Sequence, residues 1–231
     1  MFQLSSFQLK IIAMFFMVLD HIYTYLNGVS GISIPIWFGY LGKISAPIFF
    51  YLIVEGFFNT RNRTNYLLRL FGFGVLMVGV DLLLGIHNNI FLSLGLSVLL
   101  MSVIEYGRRS RKYVICVLLA LLIAIVFMFT EASIYGLMMT LIFYFLRQHK
   151  GWMIISYLIY SVLPIFSALS LGADFLDAIL LWDYQWMMVF SAPFLLLYSG
   201  KIGLHNQVVK WMFYIFYPLH LVMIILLSKV M

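Results

Sequence analysis

Apolar residues run in unbroken stretches of about twenty along most of this chain, and the gaps between them are short and polar. Membrane β-strands would alternate in polarity over about ten residues, so continuous stretches of this length point to helices. The pattern predicts nine transmembrane helices, over residues 9–26, 36–58, 66–86, 90–106, 113–130, 133–146, 152–169, 187–198 and 211–227. The sixth and eighth are short, and residues 169–185 are apolar enough to dip into the membrane interface. The expected fold class is all-α, a polytopic integral membrane helical bundle.

The gaps carry their positive charge on alternate sides, which sets an orientation. Lys10 precedes the first span; Arg61, Arg63 and Arg69 surround the second turn-round; Arg108, Arg109, Arg111 and Lys112 fill the fourth. Arg147 and Lys150 occupy the sixth, and Lys201 and Lys210 the eighth. The amino terminus is therefore expected in the cytoplasm and the carboxyl terminus outside. Asp20, Asp81, Glu131, Asp174, Asp177 and Asp183 fall toward the outer side, leaving Glu55 and Glu105 near the inner one.

Composition agrees with this reading. The chain is 65% hydrophobic and 10% charged, with a mean hydropathy of +1.07. A multi-pass protein of the cell (plasma or inner) membrane is expected, with the lipid bilayer as solvent. The net charge of +6 then reflects orientation, and no nucleic-acid partner is expected. The first twenty residues have the outline of a signal peptide, but Asp20 and His21 fall where cleavage would occur, which favours a retained helix. The lone Cys116 offers neither a disulfide nor a metal cluster, and no metal site is indicated. Without an internal repeat or a soluble segment of any size, residues 1–231 read as one domain, and chemistry belongs inside the bundle or at its edges.

Ionisable residues inside a membrane are costly and mark functional sites by default. Lys10 and His21 stand eleven positions apart in the first span, so they share a helix face about 16 Å apart along the axis. Lys43, Asp81 and Asp20 approach the same outer layer, whereas His220 lies nearer the midplane. A polar cavity in the outer half, with His220 beneath it, is the expected centre.

An imidazole beside a carboxylate suits general-base work. Successive helical residues point about 100° apart, however, so Asp20 either orients His21 or reaches Lys43 or a terminal amide instead. A structural ion pair is the bland alternative. On the inner side, Glu55–Gly56–Phe57–Phe58 leads through Arg61 and Arg63 to Arg69. These guanidinium groups can clamp phosphates, and they are also what an inward-facing loop looks like. The run Gly42–Lys43–Ile44–Ser45–Ala46–Pro47 marks a weak point in the second span, lining a cavity or kinking the helix.

Taken in order, the stretch from Lys10 to His21, Gly42–Lys43–Ile44–Ser45–Ala46–Pro47–Ile48–Phe49, Glu55–Gly56–Phe57 with Thr60–Arg61, and Tyr66 to Leu70 resemble the TraX family. Asn88–Asn89–Ile90–Phe91 and Phe213–Tyr214–Ile215–Phe216–Tyr217–Pro218–Leu219–His220 extend the likeness from end to end. That family is named for a protein that acetylates the amino terminus of conjugative pilin, and it is similar in outline to larger transmembrane acyltransferases. Those carry a basic residue, ten intervening positions and a histidine in the first helix. Lys10 stands where an arginine is expected, which keeps the charge and loses the bidentate fork.

The resemblance implies that acetyl-CoA binds from the cytoplasm and that its pantetheine arm threads the bundle. Arg61, Arg63 and Arg69 would hold the donor phosphates, with Lys10 and Glu55 in the same binding layer. His21, oriented by Asp20 or another acidic group, would deprotonate the acceptor. Lys43 or an amide such as Asn88 would stabilise the oxyanion. His220 becomes a second base or an acyl relay, and both direct transfer and an acyl-histidine stay open. Asp81, Asn88 and Tyr217 are expected on the acceptor side, with Tyr217 positioning His220. The implied acceptor is an amine or hydroxyl in the outer half of the membrane, a peptide amino terminus or a cell-surface glycan.

Trp182, Asp183, Tyr184, Gln185 and Trp186 would form a lip for that acceptor, or an interfacial aromatic belt. The competing class is a non-enzymatic solute or proton transporter or a membrane assembly subunit. A plain scaffold knitted by polar contacts is a third. A homo-oligomer is compatible with any of them.

Overall fold

The computed structural model describes residues 3–231, and these form an all-helical structure without a named strand. In chain order the helices are α1 (Ser6–Leu26), α2 (Trp37–Gly42), α3 (Ser45–Asn59), α4 (Arg63–Leu84), α5 (Ile90–Ser110) and α6 (Tyr113–Phe127). They continue as α7 (Ser133–Phe145), α8 (Lys150–Ala168), the single turn α9 (Phe175–Asp177), α10 (Ala192–Leu196) and α11 (Gln207–Val230). Tight 3₁₀ turns at Leu169–Asp174 and Gln185–Ser191 and a π turn at Ala178–Trp182 fill the stretch between α8 and α10.

Among the described residues, six segments are long and apolar enough to cross a membrane: Ser6–Leu26, Trp37–Asn59, Arg63–Leu84, Ile90–Ser110, Lys150–Trp182 and Gln207–Val230. Tyr113–Phe127, Ser133–Phe145 and Gln185–Leu196 are shorter apolar helices. The chain is a membrane protein.

Local chemistry sets the helix starts. Ser5 and Gln8 form a capping box on α1: Gln8 N–H donates to the Ser5 hydroxyl at 3.3 Å, and Ser5 N–H donates to Gln8 Oε1 at 2.9 Å. Asn62, Asn89 and Asn206 cap α4, α5 and α11, each accepting an N–H from three residues on. Gly85 ends α4 at φ 73°, a left-handed turn that glycine takes without strain. The small-residue weak point is a real break: α2 stops at Gly42, Lys43 caps it, and α3 restarts at Ser45.

The chain divides into two compact units, residues 1–49 with 148–231, and residues 50–147. In the first, α1 packs against α2 and α11. Lys10 lies 4.9 Å from the Phe213 ring, and His21 meets His220 farther along both helices, so α1 and α11 run parallel. Tyr157 of α8 is fully buried and donates to Met188 O at 2.6 Å, tying α8 to the Gln185–Ser191 turn.

In the second unit α5 is the central helix. It packs on α4, α6 and α7 and is 61% buried over its apolar window, against 17% for α4. Ser97 of α5 hydrogen-bonds Thr140 of α7 at 2.8 Å, and buried Asn89 donates to Gly74 O at 2.8 Å. Phe127, Phe143, Met101 and Met139 fill the core. The outward faces of α4 and α6, with Val75, Leu82, Val114, Leu118 and Leu122, are exposed and apolar, as a lipid-facing surface requires. Cys116 is free and buried, its Sγ close to where a side chain on Gly107 would sit.

Candidate functional site

The two chemistry-bearing neighbours on α1 serve different helices. Their side chains leave the axis about 100° apart, so one faces α2 and the other α11. Asp20 takes the first direction: its Oδ1 accepts from Lys43 Nζ at 3.1 Å, with both side chains 25% exposed. Gly42 makes this approach possible, because a Cβ there would fall on the Asp20 side chain. Of the sequence alternatives for Asp20, the contact with Lys43 is the one formed.

His21 takes the second direction. Its Nδ1 lies 2.7 Å from Nε2 of His220, and the two residues are 3% and 7% exposed. The ring centroids are 4.9 Å apart with only 8° between the planes. A nitrogen separation so much shorter than the centroid distance means that the rings meet edge to edge in one plane, as an in-plane hydrogen bond demands, rather than face to face. The expectation that His220 lies beneath His21 is corrected: the parallel run of α1 and α11 brings them level. The group that meets His21 Nδ1 is the imidazole of His220.

The protons follow from the second contact of His220. Its Nδ1 is 2.7 Å from the carbonyl oxygen of Phe216, one turn back on α11. A carbonyl only accepts, so this nitrogen carries the hydrogen and donates. In a neutral ring the Nε2 of His220 is then an acceptor, and His21 Nδ1–H donates to it. Nε2 of His21 is left as the unprotonated, basic nitrogen. Tyr217 stands edge-on to both rings, 5.9 Å from His21 and 5.7 Å from His220, and Tyr25 lies edge-on to His21 at 6.2 Å.

Tyr184, from the residues read as a lip, belongs to the Asp20–Lys43 side. Its ring lies 5.4 Å from Lys43 Nζ and 5.3 Å from the Tyr40 ring. Gly39 leaves room for it, since a Cβ there would come within 2.8 Å of the phenol oxygen. Burial first, and then the nearby Asp20 carboxylate, push the Tyr184 phenol up to about 12, so it is a neutral donor near neutral pH. Lys10 extends over Phe213 on the face it shares with His21.

The remaining candidates belong to the second unit. Arg63 lies over the Phe57 ring at 4.0 Å and Arg69 over Tyr66 at 5.9 Å. The Arg69 Nε is a buried donor with no hydrogen-bond partner in the protein, and Arg61 is exposed. Glu55 is held by Arg147 through two bonds, of 2.7 and 3.2 Å. Asp81 interacts with the Asn88 backbone and with His87. Arg147 escaped the sequence reading because it lies 92 positions from Glu55 and sits in a loop whose positive charge had another explanation. The Phe216 carbonyl escaped because a backbone group has no signature in side-chain identity.

The family model described as TraX protein matches residues 5–228 of the chain. A probable fimbrial assembly protein, FimC of serogroup H1 from Dichelobacter nodosus, is 26% identical, with the match covering 95% of this chain and 94% of the relative. No solved structure matches the chain significantly.

Proposed function

Because this chain belongs to the TraX family, we propose that it is a membrane-embedded acyltransferase, moving an acetyl group from cytoplasmic acetyl-CoA to an amine or hydroxyl of a membrane or extracytoplasmic acceptor. The observation that carries the reading is the buried His21–His220–Phe216 chain, which leaves a basic imidazole nitrogen in an apolar interior. A base is what acyl transfer asks of the protein. In direct transfer, His21 Nε2 takes the acceptor's proton as its nitrogen or oxygen bonds to the thioester carbonyl. The C–S bond then breaks, and the CoA sulfur leaves with a proton returned from the imidazole. Lys43 is the oxyanion stabiliser in this scheme, with Asp20 holding it.

The donor side of the proposal rests on Arg61, Arg63 and Arg69, with Lys10 as a further cation. Arg69 fits a phosphate best, since its buried Nε has a hydrogen-bond capacity that the protein leaves unfilled. Glu55, paired with Arg147, is kept in the donor layer as a structural support. Asp81, Asn88 and Tyr217 remain the acceptor-side candidates. The acceptor we favour is a peptide amino terminus, with a cell-surface glycan as the alternative. The proposal includes a cell-membrane location, an amino terminus inside and nine spans. An odd number of crossings is supported by the parallel run of α1 and α11, which an even number would make antiparallel.

The relative's name, a probable fimbrial assembly protein, favours a second reading in which the chain is a non-catalytic membrane assembly subunit. Purified protein in detergent separates the two. Under the acyltransferase reading the wild type binds and slowly hydrolyses acetyl-CoA, and His21→Ala binds it without turnover. A folded wild type with no affinity for any acyl-CoA would leave the assembly reading standing.

A further inference from the structure

We propose that His220 is a positioning residue, which uses the Phe216 carbonyl to hold His21 in its Nδ1–H tautomer and so makes Nε2 of His21 the atom that exchanges protons with the substrate. This rests on the acyltransferase reading for its consequence, though not for its geometry. Two neutral imidazoles 2.7 Å apart have two ways to share one hydrogen, and they differ in which ring keeps a basic outer nitrogen. The Phe216 carbonyl removes the choice. By taking the Nδ1 hydrogen of His220 at 2.7 Å, it makes the other nitrogen of that ring an acceptor, and the hydrogen between the rings must come from His21.

The sequence around His220 suits the task. Pro218, between Phe216 and His220, has no N–H for the α-helical bond to the carbonyl four residues earlier. The His220 ring folds back within that turn, bonded to the Phe216 carbonyl and stacked on the Phe216 ring at 4.7 Å and 17°. Tyr217 closes the edge of both imidazoles. The arrangement fixes ring plane, rotamer and tautomer together.

The inference also explains why an imidazole rather than a carboxylate stands behind His21. A buried carboxylate there would carry a full negative charge in the membrane interior, which needs a compensating partner. A neutral imidazole backed by a carbonyl orients the base at no such cost. When His21 Nε2 takes a proton, the positive charge is shared along the existing hydrogen bonds toward His220 and Phe216. Lys43, a cation that acts on His21, is already matched by Asp20.

The test uses the full chain in bilayers with 15N-labelled histidine, and His21→Ala to assign the signals. The wild type is expected to show His21 protonated at Nδ1 and bare at Nε2. His220→Met, which keeps bulk and loses the strong acceptor, should shift His21 toward the other tautomer. It should also lower kcat for acetyl transfer by about 10²-fold or more, leaving KM for acetyl-CoA within about threefold. His220→Gln, whose amide oxygen can accept from His21 Nδ1–H, should restore the tautomer and recover at least about tenfold of the rate.

A His220→Met protein with wild-type kcat and tautomer overturns the proposal, as does a His220→Gln protein no better than His220→Met. An acetyl group trapped on His220 would make that residue catalytic and also overturn it. If the wild type transfers no acetyl group, the functional reading fails, while the nitrogen spectra still decide the tautomer.

Discussion

In residues 50–147 the carboxylates of Glu55 and Glu105 are neutralised by pairing, whereas the unit of residues 1–49 and 148–231 holds two imidazoles in a chain that sets their tautomers. In the former, Glu55 is gripped at both oxygens by Arg147, and Glu105 accepts from Tyr144 at 2.6 Å with Arg108 at 3.6 Å. Aromatic rings then cover the guanidinium groups: Arg147 lies 4.6 Å from Phe58 and Arg108 lies 5.4 Å from Tyr144. Those contacts satisfy charge and resist change. In the latter unit Asp20 and Lys43 are matched too, but the histidine chain ends in a basic nitrogen. Counting ionisable residues in spans would rank both units alike. Following each hydrogen bond to its end separates carboxylate pairs that hold the fold from a histidine chain suited to moving a proton.

The sharpest way to break this contrast is His21→Ala, which should reduce acetyl transfer by about 10³-fold or more while the protein still binds acetyl-CoA, measured by turnover beside equilibrium binding. Lys43→Met comes next. If Lys43 stabilises the oxyanion, kcat falls by about 10²-fold, yet a pair this exposed should cost under about 1 kcal/mol of stability in a thermal unfolding assay.

Arg147→Ala should behave in the opposite way. It strands a buried carboxylate and lowers stability by about 3 kcal/mol, while the surviving folded fraction keeps its turnover per molecule. A double change, Glu55→Gln with Arg147→Met, should recover part of that loss. Replacing Arg61 and Arg63 together with alanine is expected to raise KM for acetyl-CoA about tenfold with little change in kcat, since contacts to phosphates distant from the thioester bind ground and transition states alike.

The smallest effect concerns Tyr184. Its phenol titrates near 12 in the folded protein against an ordinary value of 10. The stability this gives is complete below about pH 10 and is lost between about 10 and 12, where the unfolded phenol has released its proton and the folded one has not. Tyr184→Phe should flatten an alkaline unfolding profile in that window.

Much of the fold was legible because lipid imposes one rule, continuous apolar stretches, and the chain obeys it over long segments. The break at Lys43 was legible from Gly42 and Pro47, and the shared face of Lys10 and His21 from their spacing. Depth was less so. Counting from loop boundaries places His220 deeper than His21 because it assumes straight, evenly inserted helices, whereas their real level is set by how α1 and α11 pack. The partner of Glu55 was hidden by distance along the chain. The group that sets the tautomers, a main-chain carbonyl, is present at every residue and so marks none.

The histidine contact joins positions 199 residues apart. During synthesis His21 is made and inserted early, and for most of translation nothing exists to orient its ring. A pairing this remote forms slowly and late. The basic nitrogen acquires its fixed direction only once α11 has packed along α1, so a chain interrupted at any intermediate helix would hold an undirected imidazole, and competence would arrive in a single closing step.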